Sequence, residues 1–328
     1  MRILTTTTLS LFLFSSFLLL TGCEKIAIIS TSKKTAMPSH SHLAVTAEKH
    51  FWQTLHQGQY NNIPQTTKLL TAAYLENPND PQLAAHLGFL HIWKITERAR
   101  NPAIADDPTI VNEIILAKKY FTDAVELNPN DARYQGFLGD SLLIEGKIFN
   151  DQRQQVQGYF TLKQAIHSWP AFNYFTAGYP MSILDAQNKQ FKQGLAWQWQ
   201  TLDLCAGTTV DRNNPDFTPY LARETQTGPL RACWNSWIAP HNFEGFFLNM
   251  GDMLVKSGDW QTAIKIYNNA KLSKTYMHWP YRQMLEDRIA HAKENVTAFN
   301  QPVSLTKPDF NNKLLFNSGY GCVACHQK

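Results

Sequence analysis

The sequence predicts an all-α protein, built as an array of helical repeats with a short C-terminal tail. From about residue 45 onward, apolar residues recur at helical spacing rather than in the strict alternation of a half-buried strand. The tetrapeptide Asn-Pro-Asn-Asp occurs at 77–80 and at 128–131, and a Leu-Gly pair follows each copy at the same distance, at 87–88 and at 138–139. Such reuse in register indicates helical units that bury their apolar faces against one another.

The second helix of each unit has its own pattern. Ala117, Phe121, Ala124 and Pro129 provide an alanine, an aromatic residue four positions on, a small residue and a closing proline. A nearly complete unit lies nearer the C-terminus and comprises Phe247, Met250, Gly251, Leu254, Gly258, Ala263, Tyr267 and Ala270. These patterns resemble the tetratricopeptide repeat (TPR) over residues 45–298. The resemblance implies an irregular TPR-like array, an α-solenoid, that binds peptides or partner proteins; a generic all-α bundle is the alternative.

The composition limits the class of protein. Hydrophobic residues make up 44% of the 328-residue chain and charged residues 17%, which excludes a disordered protein. The formal net charge of +4 gives no signal for binding a polyanion, so we expect no nucleic-acid partner. The cysteines are more informative, and they stand at 23, 205, 233, 322 and 325.

The first 23 residues predict an export signal. Arg2 precedes a stretch without charged residues from Ile3 to Leu20, and this stretch ends in Leu20-Thr21-Gly22-Cys23. The ending resembles the lipobox of bacterial lipoproteins, which implies that residues 1–23 are a lipoprotein signal segment, cleaved just before Cys23, and that Cys23 becomes lipidated. An uncleaved anchor helix is the alternative.

Lipidation of Cys23 implies a periplasmic protein held to a membrane by its acyl chains. Glu24 follows the cysteine, where an aspartate would resemble a signal for retention at the inner membrane. The outer membrane is therefore favoured over the inner one. Residues 24–44 contain many Ser, Thr, Lys and His, and we expect them to form a flexible tether.

Cys205 and Cys233 bracket most of a segment, residues 206–240, that fits no repeat and is predicted to be a loop insert. In an oxidising periplasm these two thiols are expected to form a disulfide. The chain-entropy model gives about 3.5 kcal/mol of stabilisation for a loop of this length. A metal-binding or redox-active role is the alternative, although no His or further Cys lies close by in the sequence.

The C-terminal pentapeptide Cys322-Val323-Ala324-Cys325-His326 has the spacing of c-type haem attachment. Two thiols can add to the two vinyl groups of haem, and the adjacent imidazole can reach the iron as proximal ligand. With 5 Cys and 11 His in the chain, a chance match is rare. The alternatives are a thioredoxin-like redox pair, which needs a preceding strand and a long following helix, and a zinc site, which needs a fourth ligand from elsewhere.

The residues before the motif, Leu314-Leu315-Phe316 and Gly319-Tyr320-Gly321, resemble the first helix of a class I cytochrome c domain. The resemblance covers about 20 residues of the tail 299–328 and implies one covalent haem c. The second axial ligand stays open, and the candidates are Met277, His278 and His241. A Met or His ligand would favour electron transfer, whereas an empty position would favour ligand binding or peroxide chemistry.

These observations predict a periplasmic, lipid-anchored, c-type cytochrome-like protein that binds haem and transfers electrons. Its repeats would dock a redox partner or another periplasmic or membrane protein. Two alternatives remain open. One is a non-catalytic TPR scaffold that assembles other proteins, and the other is a haem enzyme such as a peroxidase. No catalytic acid–base pair is identifiable, so an electron carrier is favoured over a catalyst.

Overall fold

The structure is a computed structural model of the chain, and it describes residues 26–105, 107–234, 243–302, 314 and 320–327. Two compact units are present, Met1–Thr35 and Ala36–Lys328. Of the first unit, residues 26–30 are helical. The predicted signal segment with Cys23 lies outside the described residues. None of the helices in the described ranges combines the length and the apolar character that crossing a membrane requires.

Every secondary-structure element in the described ranges is helical, so the all-α class predicted from the sequence is confirmed. The helices α1 to α12 are, in chain order, His42–His56, Ile63–Glu76, Pro81–Thr96, Asn112–Leu127, Ala132–Ile148, Gln152–Ser168, Pro170–Gly178, Lys189–Ala206, Phe243–Ser257, Trp260–Asn269, Arg282–Ala290 and Ala292–Phe299. Short 3₁₀ segments and a four-residue helix, Pro102–Ala105, join several of them, and a single helical turn, Val323–His326, contains most of the Cys-Val-Ala-Cys-His pentapeptide. This last element is called the terminal turn below.

The repeated tetrapeptide ends one helix and begins the next. In the first copy, the carboxylate of Asp80 accepts hydrogen bonds from the N–H groups of Gln82 and Leu83, the first free donors of α3. In the second copy, Asp131 accepts one from the N–H of Arg133 at the start of α5. Aspartate is a favoured N-cap residue because its side chain satisfies donors that have no partner within the helix. The sequence repeat therefore reflects a repeated helix boundary.

Consecutive helices pack in pairs, namely α1 with α2, α3 with α4, α5 with α6, α7 with α8, and α9 with α10. The closest approach involves α5 and α6. There a Cβ atom on Gly158 would lie 2.8 Å from both the carbonyl oxygen of Gly139 and the amide nitrogen of Leu143. Both neighbours are backbone atoms, which cannot move without shifting a helix. Glycine is therefore required at this crossing.

Two large apolar cores and two smaller clusters result from this packing of the described helices. We call the one built mainly from α1 to α4 the N-terminal core, and the one built mainly from α7 to α12 the C-terminal core. The terminal turn contributes to both, because Cys322 and Val323 are buried in the N-terminal core while Ala324 and Cys325 are buried in the C-terminal core. The end of the chain thus fills the junction between the two halves of the array.

The residues just before α1 are also held in place. The N–H of Met37 donates to the carbonyl of Asn79, and the N–H of Ser39 donates to the carboxylate of Asp80. The hydroxyl of Ser41 caps α1, accepting from the N–H of Ala44. Part of the stretch 24–44, which the sequence predicts to be a tether, is therefore packed against the first Asn-Pro-Asn-Asp turn.

The insert after α8 is fastened at two points. Cys205, in the last turn of α8, forms a disulfide with Cys233. Farther along, the buried side chain of Asn269 accepts a hydrogen bond from the N–H of Phe217 and donates one to the carbonyl of Pro215. The insert is therefore ordered by a covalent link and a buried amide, although it has little regular structure of its own. Residues 235–240 of the predicted loop lie outside the described residues.

The tight crossing of α5 and α6 predicts that Gly158→Ala is destabilising. The added methyl group meets backbone on the neighbouring helix, and overpacking of this kind lowers the free energy of unfolding by about 1–3 kcal/mol. Urea denaturation followed by circular dichroism measures the change. Gln157→Ala, an exposed position on the same helix, is the control and should change stability by less than about 0.5 kcal/mol. Equal stability of the two variants would contradict the close approach.

The disulfide predicts that the double variant Cys205→Ala/Cys233→Ala unfolds more easily. The bond closes a loop with a sequence separation of 28 residues, for which the chain-entropy model gives about 3.5 kcal/mol. Urea denaturation should also show that dithiothreitol lowers the stability of the unmodified protein and leaves the double variant unchanged. A reductant effect of the same size on both proteins would argue against this bond as its source.

Candidate functional site

The two thiols of the C-terminal motif are buried and are not bonded to each other. Cys322 is 8% exposed and Cys325 is 4% exposed, while the imidazole of His326 is half-buried. Leu314, the one described residue of the flanking Leu-Leu-Phe segment, is buried in the C-terminal core. The motif is therefore an integral part of the fold and not a loose end.

A single carboxylate holds the start of the terminal turn. Glu97 follows the last residue of α3 and has no solvent exposure. Its Oε1 accepts hydrogen bonds from the N–H groups of Cys322, at 2.6 Å, and Val323, at 2.8 Å. Its Oε2 accepts from the guanidinium of Arg100 at 3.0 Å. Glu97 thus satisfies two donors at the N-terminus of the turn that have no partner within the turn itself.

Burial raises the pKa of Glu97, while the hydrogen bonds from Val323 and the charge of Arg100 act in the opposite direction. A carboxylate in this position is stabilised chiefly by the N–H groups and the guanidinium that face it. Removing the tail would leave this buried group with fewer donors. The hydrogen bonds between Glu97 and the tail therefore hold the tail on the array. The buried carboxylate, in turn, depends on the tail for two of its donors.

Four further hydrogen bonds, two to the backbone of the motif and two to the residues on either side of it, hold this part of the chain from other directions. The hydroxyl of Tyr179 donates to the carbonyl of Gly321 at 2.7 Å, and the indole N–H of Trp279 donates to that of Ala324 at 3.0 Å. The Nδ1 of His56, on α1, bonds to the carbonyl of His326 at 2.8 Å, and Tyr281 donates to the side chain of Gln327 at 2.9 Å. The motif is thus fastened to both halves of the array.

The side chains of the motif line two adjoining cavities. The first, which we call the thiol cavity, has a volume of about 70 Å³ and is lined by Cys322, Cys325 and His326 together with mostly apolar side chains. The second, which we call the aromatic cavity, has a volume of about 230 Å³ and is also lined by His326. The two cavities share Phe89, Phe137 and His326 as walls. His326 therefore stands at the boundary between them.

One buried acid in the thiol cavity has no hydrogen-bonding partner on one oxygen. Asp140, on α5, is 6% exposed, and its Oδ1 has no partner among the described residues. Burial raises the pKa of Asp140 well above its usual range. A buried polar atom left without a protein partner indicates a space that a further group or water occupies.

The environment of both thiols disfavours the thiolate form. Burial, followed by the negative charge of Glu97, raises the pKa of Cys322 and of Cys325 well above the ordinary value. Thiol–disulfide exchange and zinc binding both use the thiolate, which this environment disfavours. Within the described ranges, moreover, no group of three or more His, Cys, Asp or Glu side chains is arranged to hold a metal ion.

The donor set fits a c-type haem. Two thiols and the adjacent imidazole face a common apolar space, and the aromatic cavity extends that space, with Phe51, Trp52, Phe121, Tyr134 and Phe172 among its walls. Cavities lined by aromatic and aliphatic side chains with a few polar groups are typical of cofactor sites.

The residues proposed from the sequence as second axial ligand are placed differently. Met277 is 67% exposed, and its sulfur lies 3.6 Å from the guanidinium of Arg282. His278 is exposed as well, and neither residue lines the thiol cavity or the aromatic cavity. His241 lies outside the described residues. Met277 and His278 thus directly precede Trp279, which bonds to the motif, but they do not line the cavities themselves.

The hydrogen bonds from the tail to Glu97 predict that the substitution Glu97→Leu loosens the attachment of the tail to the array. Two buried N–H groups lose their acceptor, at a cost of about 1–3 kcal/mol each, so amide exchange in residues 320–327 should accelerate at least tenfold. Hydrogen–deuterium exchange read by mass spectrometry measures this. Glu97→Gln keeps an acceptor oxygen and should have a smaller effect. Glu113→Gln, which changes a carboxylate paired with His91 and Lys94, is the control. Unchanged exchange in Glu97→Leu would show that the carboxylate does not anchor the tail.

Comparison with known proteins adds no assignment. No protein-family model matches the chain, and no curated protein and no solved structure is significantly similar to it. The resemblances to the tetratricopeptide repeat and to the haem-attachment motif therefore rest on the residues quoted above. What this site does has to be argued from its own geometry and chemistry.

Proposed function

We propose that this protein is a c-type cytochrome-like electron carrier. It holds one haem c through thioether bonds to Cys322 and Cys325, with His326 as proximal axial ligand. The observation that carries the proposal is that both thiols and this imidazole line one largely apolar cavity at the junction of the two cores. A motif that matched by chance would have no reason to face such a space.

The chemistry of attachment needs no further oxidant or reductant. At each vinyl group a sulfur–carbon bond forms, and the hydrogen of the thiol passes to the neighbouring carbon, so that the reaction is a simple addition. A haem bound in this way supplies reversible one-electron exchange between ferric and ferrous iron.

The residues of the chain would position the motif and exclude water from the haem site. Glu97 and the four hydrogen bonds described above hold the motif and the residues on either side of it. The aromatic walls keep solvent away from the site, and a buried environment of this kind is one of the means by which proteins tune the potential of a haem. Rigid placement also limits the reorganisation of the site when its charge changes.

The helical array would provide the docking surface. Its paired helices and repeated Asn-Pro-Asn-Asp boundaries support a TPR-like, irregular α-solenoid, and such arrays present extended surfaces to protein partners. We infer a redox protein, or another periplasmic or membrane protein, as partner. No nucleic acid is expected, given the small net charge. A non-catalytic scaffold is the alternative that the same helices support.

We further infer that the protein is periplasmic and is held to the outer membrane by lipid on Cys23. The disulfide between Cys205 and Cys233 supports this, because structural disulfides form and persist in oxidising compartments. Covalent haem is likewise attached to exported proteins outside the cytoplasm. Lipid, disulfide and thioethers would then account for all five cysteines of the sequence.

A haem enzyme such as a peroxidase is the second candidate. The observation in its favour is the buried carboxyl of Asp140, which faces the same cavity as the thiols and offers an acid group there. An electron carrier and a peroxidase differ in their reaction with peroxide. An electron carrier is oxidised and reduced reversibly and turns peroxide over slowly, whereas a peroxidase turns it over rapidly with a reducing co-substrate.

The proposal predicts a covalently haem-bearing protein on expression with the cytochrome c maturation machinery. The band should stain for haem after denaturing electrophoresis and give a pyridine haemochrome spectrum with two thioether links. Cys322→Ala and Cys325→Ala should each shift that spectrum to a single link, and the double variant should lose covalent haem. Cys205→Ala/Cys233→Ala is the matched control and should keep it. A colourless protein under these conditions would rule out the proposed function.

A further inference from the structure

The aromatic cavity has a second histidine in its wall. His86, on α3, lines the cavity together with His326. Phe89 lies three residues further along α3 and is therefore a neighbour of His86 on the same helix face. The ring of Phe89 packs edge-on against the imidazole of His326, with 5.2 Å between the ring centres. The two histidines thus border one space from different elements, α3 and the terminal turn.

The ring of His86 is held in a fixed orientation. It stacks on Phe51 with ring centres 4.1 Å apart and an angle of 10° between the planes, and the edge of Trp52 closes another side. Its Nδ1 lies 2.8 Å from Oε1 of Glu48. The other oxygen of Glu48 accepts a hydrogen bond from Gln82, which fixes the carboxylate in turn.

This contact selects one tautomer of the imidazole. An ionised carboxylate only accepts hydrogen bonds, so the Nδ1 of His86 carries the hydrogen and donates it. The lone pair of a neutral imidazole then lies on Nε2, and no described side chain or backbone group bonds to that atom. A histidine whose other ring nitrogen donates to a carboxylate is the common arrangement at metal sites, because the carboxylate orients the ring and raises its basicity.

The other potential iron ligands around the two cavities are less suitable. The side chains that bind haem iron in proteins are those of His, Met, Cys and Tyr. Among the described residues lining either cavity there is no methionine, and both cysteines belong to the attachment motif. Tyr179 donates its hydroxyl to Gly321. Burial and the negative charge of Asp131 raise the pKa of Tyr134, which therefore stays a neutral phenol.

We propose that His86 would supply the second axial ligand of the haem iron, with His326 as the first. The inference rests on the proposed function and adds that the site is bis-histidine and six-coordinate. Such a site has no free position for oxygen, carbon monoxide or peroxide, so electron transfer is favoured over ligand binding. It would also tie α3 to the terminal turn through the iron.

The test is spectroscopic and uses the full-length holoprotein. The unmodified protein should be low-spin in the ferric state by electron paramagnetic resonance. It should lack the sulfur-to-iron charge-transfer band of a methionine ligand, and the ferrous form should not bind carbon monoxide. His86→Ala should keep the covalent haem, lose the low-spin signal and bind carbon monoxide. Added imidazole should restore the low-spin signal in that variant by entering the space the side chain has left.

His91→Ala is the matched control. His91 lies on the same helix, its Nδ1 also contacts a carboxylate, that of Glu113, and its ring also stacks on an aromatic side chain, that of Tyr120. It does not line either cavity. Loss of this side chain should leave the haem spectrum unchanged. Circular dichroism of all variants shows whether the fold is kept.

The outcomes separate the inference from the function on which it rests. An unmodified protein without covalent haem overturns both. Covalent haem with an unchanged low-spin spectrum in His86→Ala overturns the axial assignment and leaves the electron carrier standing. A methionine charge-transfer band, or a five-coordinate ferric iron in the unmodified protein, overturns the assignment as well. Loss of the low-spin signal in His86→Ala alone, with rescue by imidazole, supports it.

Discussion

The bond between the carboxylate of Glu97 and the N–H groups of Cys322 and Val323 is the interaction on which the candidate site depends. A helical turn of four residues has no stability of its own, because nucleation of a helix is unfavourable in so short a segment. The geometry of the motif is therefore set by groups outside it. Of these, Glu97 is the one that satisfies the donors at the start of the turn. Removing its side chain leaves two buried N–H groups of the tail without this acceptor, and removing the tail leaves the buried carboxylate with Arg100 and fewer donors.

This constraint makes the site a property of the whole array. Glu97 follows α3, His56 lies on α1, and Trp279 belongs to the C-terminal half, yet all three bond to the same few residues of the tail. Because the turn is buried in both cores, docking of the tail completes the two cores and forms the cavities in one event. Stability and site formation are thus coupled: a change that loosens either half also displaces the thiols relative to the aromatic walls.

The sequence was sufficient for local features and insufficient for distant ones. The all-α class, the helix boundaries at the Asn-Pro-Asn-Asp repeats and the pairing of Cys205 with Cys233 follow from periodicity, capping chemistry and cysteine count. Glu97 gave no such signal, because it stands in a charged segment that interrupts the repeat pattern, and its partners are about 225 residues away. His86 is one of the 11 histidines of the chain and carries no sequence motif of its own, and only packing shows that it borders a cavity. Met277 and His278 were candidates because they lie near the tail in the sequence. The fold decides which side chains are buried and which of them line a cavity.

If the proposed function holds, the burial of the thiols bears on whether haem is attached before or after the tail docks. In the folded protein Cys322 and Cys325 are almost completely covered, and their environment disfavours the reactive thiolate. An enzyme that attaches haem needs access to both sulfur atoms and to the imidazole. Attachment to the tail must therefore precede its docking between the two cores. The haem would then enter the array with the tail, and the aromatic cavity between α1, α3 and α5 would receive it as the junction closes. In this sequence of events the carboxylate of Glu97 acts last, fixing a motif whose covalent chemistry is already complete.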